Sequence, residues 1–254
     1  MKTIKYLALG IASLPLFTGC ETMSQIASTL PQSNPGSTTS NPNSNSGTIT
    51  QTEAATGIKQ ALNNGLQNSI KTLSASNGFY GDALVKVMMP QEAQKIEQVL
   101  RSAGMGKLVD NFVLSLNRAA ESAVKEAAPV FVNSLSQMTV TDAFNILLGS
   151  QQDAATTFFK RTTSATLTQK FSPIVESALG RNKVNTYWTQ LTSAYNTFST
   201  NKVQTDLNAY VTQKAIDGLF LKVADEELKI RQNIGGSRNS SVLQSVFGWA
   251  DKQK

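Results

Sequence analysis

From Thr50 onward the chain is written in a helical period. Ala54, Ile58, Ala61, Leu62, Leu66 and Ile70 recur at three- and four-residue intervals, the spacing that puts apolar groups on one face of a helix. A break follows at Asn77-Gly78-Phe79-Tyr80-Gly81, and the apolar run Leu84 to Met89 reads as a short strand or an extended connector. Pro90 stands where a helix tolerates proline best, ahead of Ala93, Ile96, Val99 and Leu100, with Gly104 and Gly106 as the stop. The next helix carries Leu108, Val109, Phe112, Val113, Leu116, Ala119, Ala120, Ala123 and Val124. Pro129 is expected to interrupt before a short helix over Val130 to Met138.

The second half continues in the same period. Thr141 is the expected N-cap of a helix from Asp142 to Leu148 that ends at Gly149. Asp153 is the expected cap of a long helix running through Phe158, Phe159 and Ala165 to Phe171, near Pro173. Two helices follow over roughly Val184–Phe198 and Val203–Gln232, then the Gly235-Gly236 pair and a short Val242–Trp249 segment. Alternating patterns are too few for a sheet of any size. The expectation is an all-α fold: one domain of about seven to nine helices over residues 50–249, with a polar tail at 250–254.

Ahead of the domain the pattern is different. From Pro31 to Gly47 every residue is Pro, Gly, Ser, Thr, Asn or Gln, a composition that cannot bury enough apolar area to offset the entropy of ordering. This is the reading of a disordered linker over residues 20–49. A flexible tether of roughly 28 residues spans on the order of 30 Å.

Residues 1–19 have the layout of an export signal: Lys2 and Lys5, then the apolar stretch Tyr6 to Phe17, then the small pair Thr18-Gly19. The stretch is shorter than the roughly 20 residues of a membrane-spanning helix. It ends at Cys20, the only cysteine of the chain, so no disulfide can form within it. A small-small-Cys ending resembles the bacterial lipoprotein signal, in which the cysteine thiol is lipidated and becomes the new N-terminus. Phe17 departs from that pattern, since leucine is usual three residues before the cysteine. The resemblance implies a lipid-anchored protein of the cell envelope. Glu21 follows the cysteine in place of the aspartate that retains such proteins at the inner membrane, so by the same resemblance the expected address is the outer membrane, facing the periplasm.

Composition narrows the chemistry. Losing residues 1–19 removes two lysines and no acids, taking the formal charge from +6 to +4. The Lys and Arg residues are scattered, without the dense patch that neutralises phosphates, so no nucleic-acid partner is expected. Histidine is absent, which removes Ser-His-Asp and Cys-His catalysis and His-ligated metal sites. No cofactor or metal site is implied.

The remaining candidates are polar residues on apolar helical faces, where burial is costly unless each group is paired. Glu227 sits on the stripe of Ile216, Phe220, Val223 and Ile230, with Glu226 at its flank and Arg231 four residues later, the favourable order for an intrahelical ion pair. Asn117, Arg118 and Glu121 lie within one turn beside the Phe112, Leu116, Ala120 and Val124 face. Each cluster reads either as a structural pairing between helices or as a functional site: Glu121 and Glu227 as catalytic carboxylates, Asn117, Arg118 and Arg231 as binding groups. Asp206 and Tyr210 share a face with Lys214 and Asp217, a row that suits a polar ligand or a solvated surface equally. Asp142 and Asp153 read as helix-start charges. The apolar Val242–Trp249 end is expected to dock into the core, with an exposed contact patch as the alternative.

Several short motifs, in this order, resemble the DUF4197 family of bacterial envelope proteins. They are Asn117-Arg118-Ala119-Ala120-Glu121; Asp142-Ala143 through Leu148-Gly149; Asp153-Ala154-Ala155-Thr156; Asp206-Leu207-Asn208-Ala209-Tyr210-Val211; Asp217-Gly218-Leu219-Phe220; Glu226-Glu227 through Ile230-Arg231; and Val246-Phe247-Gly248. The likeness spans about residue 50 to residue 248. After Arg231 it departs, with Ile234-Gly235-Gly236 where the family pattern has a proline. The family is of unknown function, so the resemblance implies no catalytic or binding residue. The expected function is a non-enzymatic binding or structural module of the envelope, held at the membrane by its lipid and able to meet an envelope protein partner. The alternatives are a carboxylate-dependent hydrolase of cell-wall or other polar substrates, and a carrier of a lipid or apolar ligand between helices.

Overall fold

Helical periodicity becomes helix along almost the whole domain. A computed structural model describes residues 49–181, 184–198 and 206–253. Its elements are α1 (Gln51–Ser74), α2 (Gln94–Ser102), α3 (Gly106–Val124), α4 (Ala127–Gln137), α5 (Val140–Leu148), α6 (Ala154–Arg181), α7 (Val184–Phe198), α8 (Leu207–Gln232) and α9 (Ser241–Asp251), with no strand among the described residues. All belong to one compact unit, Gly47–Lys254. The expected signal peptide, tether, Cys20 and Glu21 lie outside the described residues, as does the expected helix start at Val203.

The long helices α1, α3, α6 and α8 form the body. α6 packs along both α8 and α3, and α1 crosses α5, α8, α4 and α9. Their predicted apolar stripes are the core: Ala54, Ile58, Ala61, Phe112, Leu116, Phe159, Phe171, Leu219 and Val223 are all buried. Close approach of α1 to its neighbours needs small residues. A Cβ on Gly57 would lie 2.5 Å from a methyl of Val246, and one on Gly65 would lie 3.3 Å from Cβ of Glu226. The C-terminal segment docks as expected, burying Leu243, Val246, Phe247 and Ala250.

α9 continues to Asp251, into the first two residues of the expected polar tail. Arg238 holds this end in place. It donates to the α8 carbonyls of Ile230 (2.9 Å) and Arg231, and pairs with the Asp251 carboxylate at 2.6 Å. Backbone carbonyls left over at the end of α8 thus receive a guanidinium.

Several boundaries differ from expectation for identifiable reasons. Pro129 lies within α4, in its first turn, where a missing N–H costs nothing because that donor has no intrahelical acceptor. Pro173 lies inside α6 instead of ending it. Phe171 before it and Val175, Ala178 and Leu179 after it are all buried, so packing on both sides carries the helix through. Of the two readings of Leu84 to Met89, the extended connector is the one present, with Val85, Val87 and Met89 turned inward.

The cap of α5 is Thr139, not Thr141. Thr139 Oγ1 accepts from the Asp142 N–H at 3.0 Å, and Asp142 accepts from both the N–H and the hydroxyl of Thr139, forming a reciprocal capping box. The Thr139 hydroxyl and N–H bonds, helped by the charges of Arg161 and Lys59, hold the Asp142 carboxyl below its ordinary range. The folded chain therefore binds this proton less readily than the unfolded chain. The contribution to stability is present above the unfolded value of about 4 and is lost as pH falls below it. Asp142→Asn keeps the cap geometry but cannot ionise. The gap in urea midpoint between wild type and this variant is expected to be wider at pH 7 than at pH 3, and a pH-independent gap would refute the assignment.

Candidate functional site

Glu227 is the most heavily engaged side chain among the sequence candidates. It leaves α8 and reaches the first turn of α6. One oxygen accepts from the Ala155 N–H at 2.9 Å, and the other from the Thr156 N–H and hydroxyl, both at 2.8 Å. These are donors that the start of a helix leaves without intrahelical partners, and the positive end of the helix dipole favours a carboxylate there. Asp153 occupies the cap position through its backbone, its carbonyl accepting from Thr157. The carboxylate received by α6 is that of Glu227, from a distant part of the chain.

Arg231 closes the arrangement. Its Nε and Nη2 donate to the first oxygen of Glu227 at 3.0 and 2.7 Å, and Nη2 also reaches the Ile146 carbonyl at the end of α5 at 2.9 Å. Side-chain exposures of 5% for Arg231 and 4% for Glu227 place the pair inside the protein. The predicted i, i+4 ion pair is therefore present, and it ties α8 to α6 and α5. The crevices beside it between α1 and α8 hold about 10 Å³ each, space for no more than a water. Glu226, at the flank, takes the Lys229 ammonium at 2.7 Å and the Asn68 amide of α1 at 3.2 Å.

The second cluster serves the connector between α1 and α2. Asn117, with no exposed surface, accepts from the Val87 N–H at 2.8 Å and donates to the Val87 carbonyl at 2.8 Å and to Val113 O at 2.7 Å. One side chain thus meets both backbone groups of a buried extended residue, as a neighbouring strand would. One turn on, Glu121 accepts from the N–H groups of Phe79 (3.2 Å) and Tyr80 (3.4 Å) and pairs with Arg118 at 2.6 Å; Arg118 also donates to the Asn77 side chain. Lys222 on α8 pins the same connector through Asp82 at 2.6 Å.

The row at the start of α8 divides. Asp206 is the N-cap, accepting from the Ala209 N–H at 3.0 Å. The Tyr210 hydroxyl donates to the Met88 carbonyl at 3.0 Å, and the Lys214 ammonium lies 5.8 Å from the Tyr210 ring centre. Asp217 accepts from Gln213.

Asp206 also borders a recess of about 390 Å³ where α6, α7 and α8 meet. Glu176 and Leu179 line it from α6, Asn185 and Trp188 from α7, and Leu207 and Asn208 from α8. Sequence reasoning missed Glu176, Asn185 and Trp188. Trp188, one of two tryptophans, was the available signal; a lone Glu and a lone Asn carry none. Trp188 is stacked on Phe112 of α3, with ring centres 5.4 Å apart and planes inclined by 15°.

The structure thus brings Asn117, Arg118 and Glu121 together, and separately Glu227 with Arg231, while Asp206 and Tyr210 face different partners. Among the described residues no group of three or more acidic or thiol side chains has the placement to hold a metal, and no helix is long and apolar enough to cross a membrane. No curated protein and no solved structure matches the chain. A family model does: the one described as a protein of unknown function, DUF4197, matches residues 48–248. Those bounds take in α1 to α8 and all but the last three residues of α9, and the chain belongs to the DUF4197 family.

Proposed function

We propose that this DUF4197 domain is a non-catalytic binding or structural module of the cell envelope, tethered by a lipid on Cys20 to the periplasmic face of the outer membrane. The observation that supports the non-catalytic reading is the fate of the two best-placed carboxylates. Glu227 accepts five hydrogen bonds, from Ala155, Thr156 (two) and Arg231 (two). Glu121 accepts from two backbone N–H groups and Arg118. A general acid or base needs a carboxyl group within reach of a substrate at a cavity. Here these carboxylates hold helices and a connector in place, and the crevices at Glu227 are water-sized. This arrangement favours the module over the carboxylate-dependent hydrolase. It also favours it over a carrier of apolar ligands loaded at the α1–α8 seam.

The anchor is supported by the sequence that ends at Cys20. Two attached acyl chains hold a protein stably, since each buried methylene contributes about 0.8 kcal/mol. Wild-type protein is expected to incorporate labelled fatty acid in cells and to sediment with outer-membrane fractions. Cys20→Ser is expected to take up no label and to lose the outer-membrane fraction, and unchanged association of that variant would overturn the anchor. For the module itself the test is photo-crosslinking in intact cells from domain surface positions. Repeated capture of one envelope component is the expected result. No capture, together with turnover of cell-wall fragments by the purified protein, would overturn the reading in favour of an enzyme.

A further inference from the structure

Among the exposed apolar side chains, two groups lie at opposite ends of α1. Beyond its C-terminus the connector turns out Leu84 (73% exposed) and Met88 (50%). Beside its N-terminal half are Val140, in the first turn of α5 (42%), and Val242, in the first turn of α9 (40%). That placement follows from packing: Val246 of α9 sits on Gly57, Phe247 borders a crevice with Ile58 and Leu62, and α5 lies along α1. With 24 residues in α1, roughly 36 Å separates the two groups. The near group is extended by an aromatic pair. Phe144, one turn after Val140, meets Trp249, two turns after Val242, with ring centres 5.9 Å apart. Both rings are packed on the core yet partly exposed, and the Trp249 indole N–H makes no hydrogen bond among the described residues.

The chain itself says what covers this face. Ile49 packs on the core and Thr50 caps α1, so the N-terminal segment joins the domain at this end and not at the connector. No charged residue lies between Glu21 and Glu53, so that segment brings no charge to the face. The charges around it nearly cancel: Lys59 and Arg161 near Asp142, Arg238 on Asp251, and Lys252 against Glu53. A nearly neutral face of two valines, a phenylalanine and an indole with a free N–H suits the boundary between acyl chains and headgroups, where tryptophan is apolar on one side and wet on the other. A polar cell-wall polymer would leave Val140 and Val242 unmatched. We infer that the α5–α9 face rests on the lipid bilayer, with Trp249 at headgroup depth. The inference rests on the reading of Cys20 as the anchor and adds an orientation to it. So few inserting side chains bind weakly alone, and the tether supplies the local concentration that makes the contact persist. Release of the Cys20→Ser protein from sedimented membranes therefore stays the expected result.

The test uses the full chain with Cys20→Ser, which removes acylation, and Trp188→Phe, which leaves Trp249 as the one tryptophan. The apolar stretch Tyr6 to Phe17 keeps this protein near vesicles, so the readout has to be local. Trp249 emission is compared in phosphatidylcholine vesicles with and without bromine on the acyl chains. A shift to shorter wavelength and quenching by the brominated lipid are expected. The matching protein with Trp249→Phe in place of Trp188→Phe reports from Trp188, which should not be quenched. Val140→Glu with Val242→Glu puts acids in first turns, where they suit a helix, and leaves the circular dichroism unchanged. This pair is expected to lower the ratio of docked to undocked domain about tenfold. Absence of Trp249 quenching overturns the inference, as does equal quenching of Trp188 or quenching unchanged by the two glutamates. A wavelength shift that grows with protein concentration in the absence of vesicles overturns it in favour of contact between two copies. Leu84→Trp, placed in a chain lacking both native tryptophans, overturns it if quenched where Trp249 is not. Fatty-acid labelling at Cys20 does not involve this face, so the anchor and the docking can fail separately.

Discussion

Glu227→Ala is expected to leave the domain at least 3 kcal/mol less stable than wild type in urea unfolding followed by circular dichroism. Removing one partner of a buried ion pair costs about 3–5 kcal/mol, because the other charge remains in the interior without its counter-ion. Here Arg231 would keep only the Ile146 carbonyl, and the Ala155 and Thr156 N–H groups would lose their acceptor. Small domains are stable by about 5–15 kcal/mol, so the loss takes a large share of the total. Glu227→Gln should fall between, since an amide keeps one acceptor oxygen but turns an NH2 group towards donors. Adding Arg231→Leu to Glu227→Gln removes the uncompensated guanidinium and should restore part of the loss. A Glu227→Ala protein within 1 kcal/mol of wild type would show that α6 and α8 are not held through this carboxylate.

Asn117 carries the second large effect, and with an unusual order of severity. Asn117→Leu preserves volume but strands the N–H and carbonyl of Val87 in the core, each worth about 1–3 kcal/mol when left unsatisfied. Roughly 3 kcal/mol of destabilisation is expected. Asn117→Asp, the smaller chemical change, should be worse. Its carboxylate could still accept from the Val87 N–H, but it would set a charged oxygen against the carbonyls of Val87 and Val113 where the amide donated. Hydrogen exchange gives the local readout. The Val87 amide and its neighbours in the connector should exchange faster in both variants, with α6 and α8 least affected. Equal stability of the Asp variant and wild type would contradict the assigned amide orientation.

These two residues show where sequence reading reaches and where it stops. The helical fold was legible because burial follows spacing: Ile58, Leu62 and Leu66 on α1 and Phe112, Leu116 and Ala120 on α3 are buried as their periods require. The Glu227–Arg231 pair was legible for the same reason, since four residues apart on a helix is a contact. The partners that matter most were not. Glu227 meets Thr156 across 71 positions and Asn117 meets Val87 across 30, and no local pattern announces either meeting. Helix ends were misplaced for a related reason. Thr139 and Thr141 are equally good caps by residue type, and the reciprocal bond with Asp142 decides between them. Proline was read too strongly in α4 and α6, where a first-turn position and packing on both sides outweigh the missing donor. The α6–α7–α8 recess was illegible beyond Asp206, because its lining gathers single residues from three helices.

The long-range cap on α6 also bears on the order in which this chain can become itself. A ribosome releases Ala155 well before Glu227, so the start of α6 waits, its amides answered only by water, while some seventy further residues are made. Contacts that join distant positions slow folding, because the loop between them must close before the contact stabilises anything. A chain cut short before α8 would therefore lack more than one helix. It would hold a 28-residue helix with an open beginning, an α5 whose last turn has lost the guanidinium at Ile146, and a connector without its Lys222 anchor. Residues 222 to 231 thus act as a completion signal written in hydrogen bonds, and a chain that has not reached them has no finished core to display.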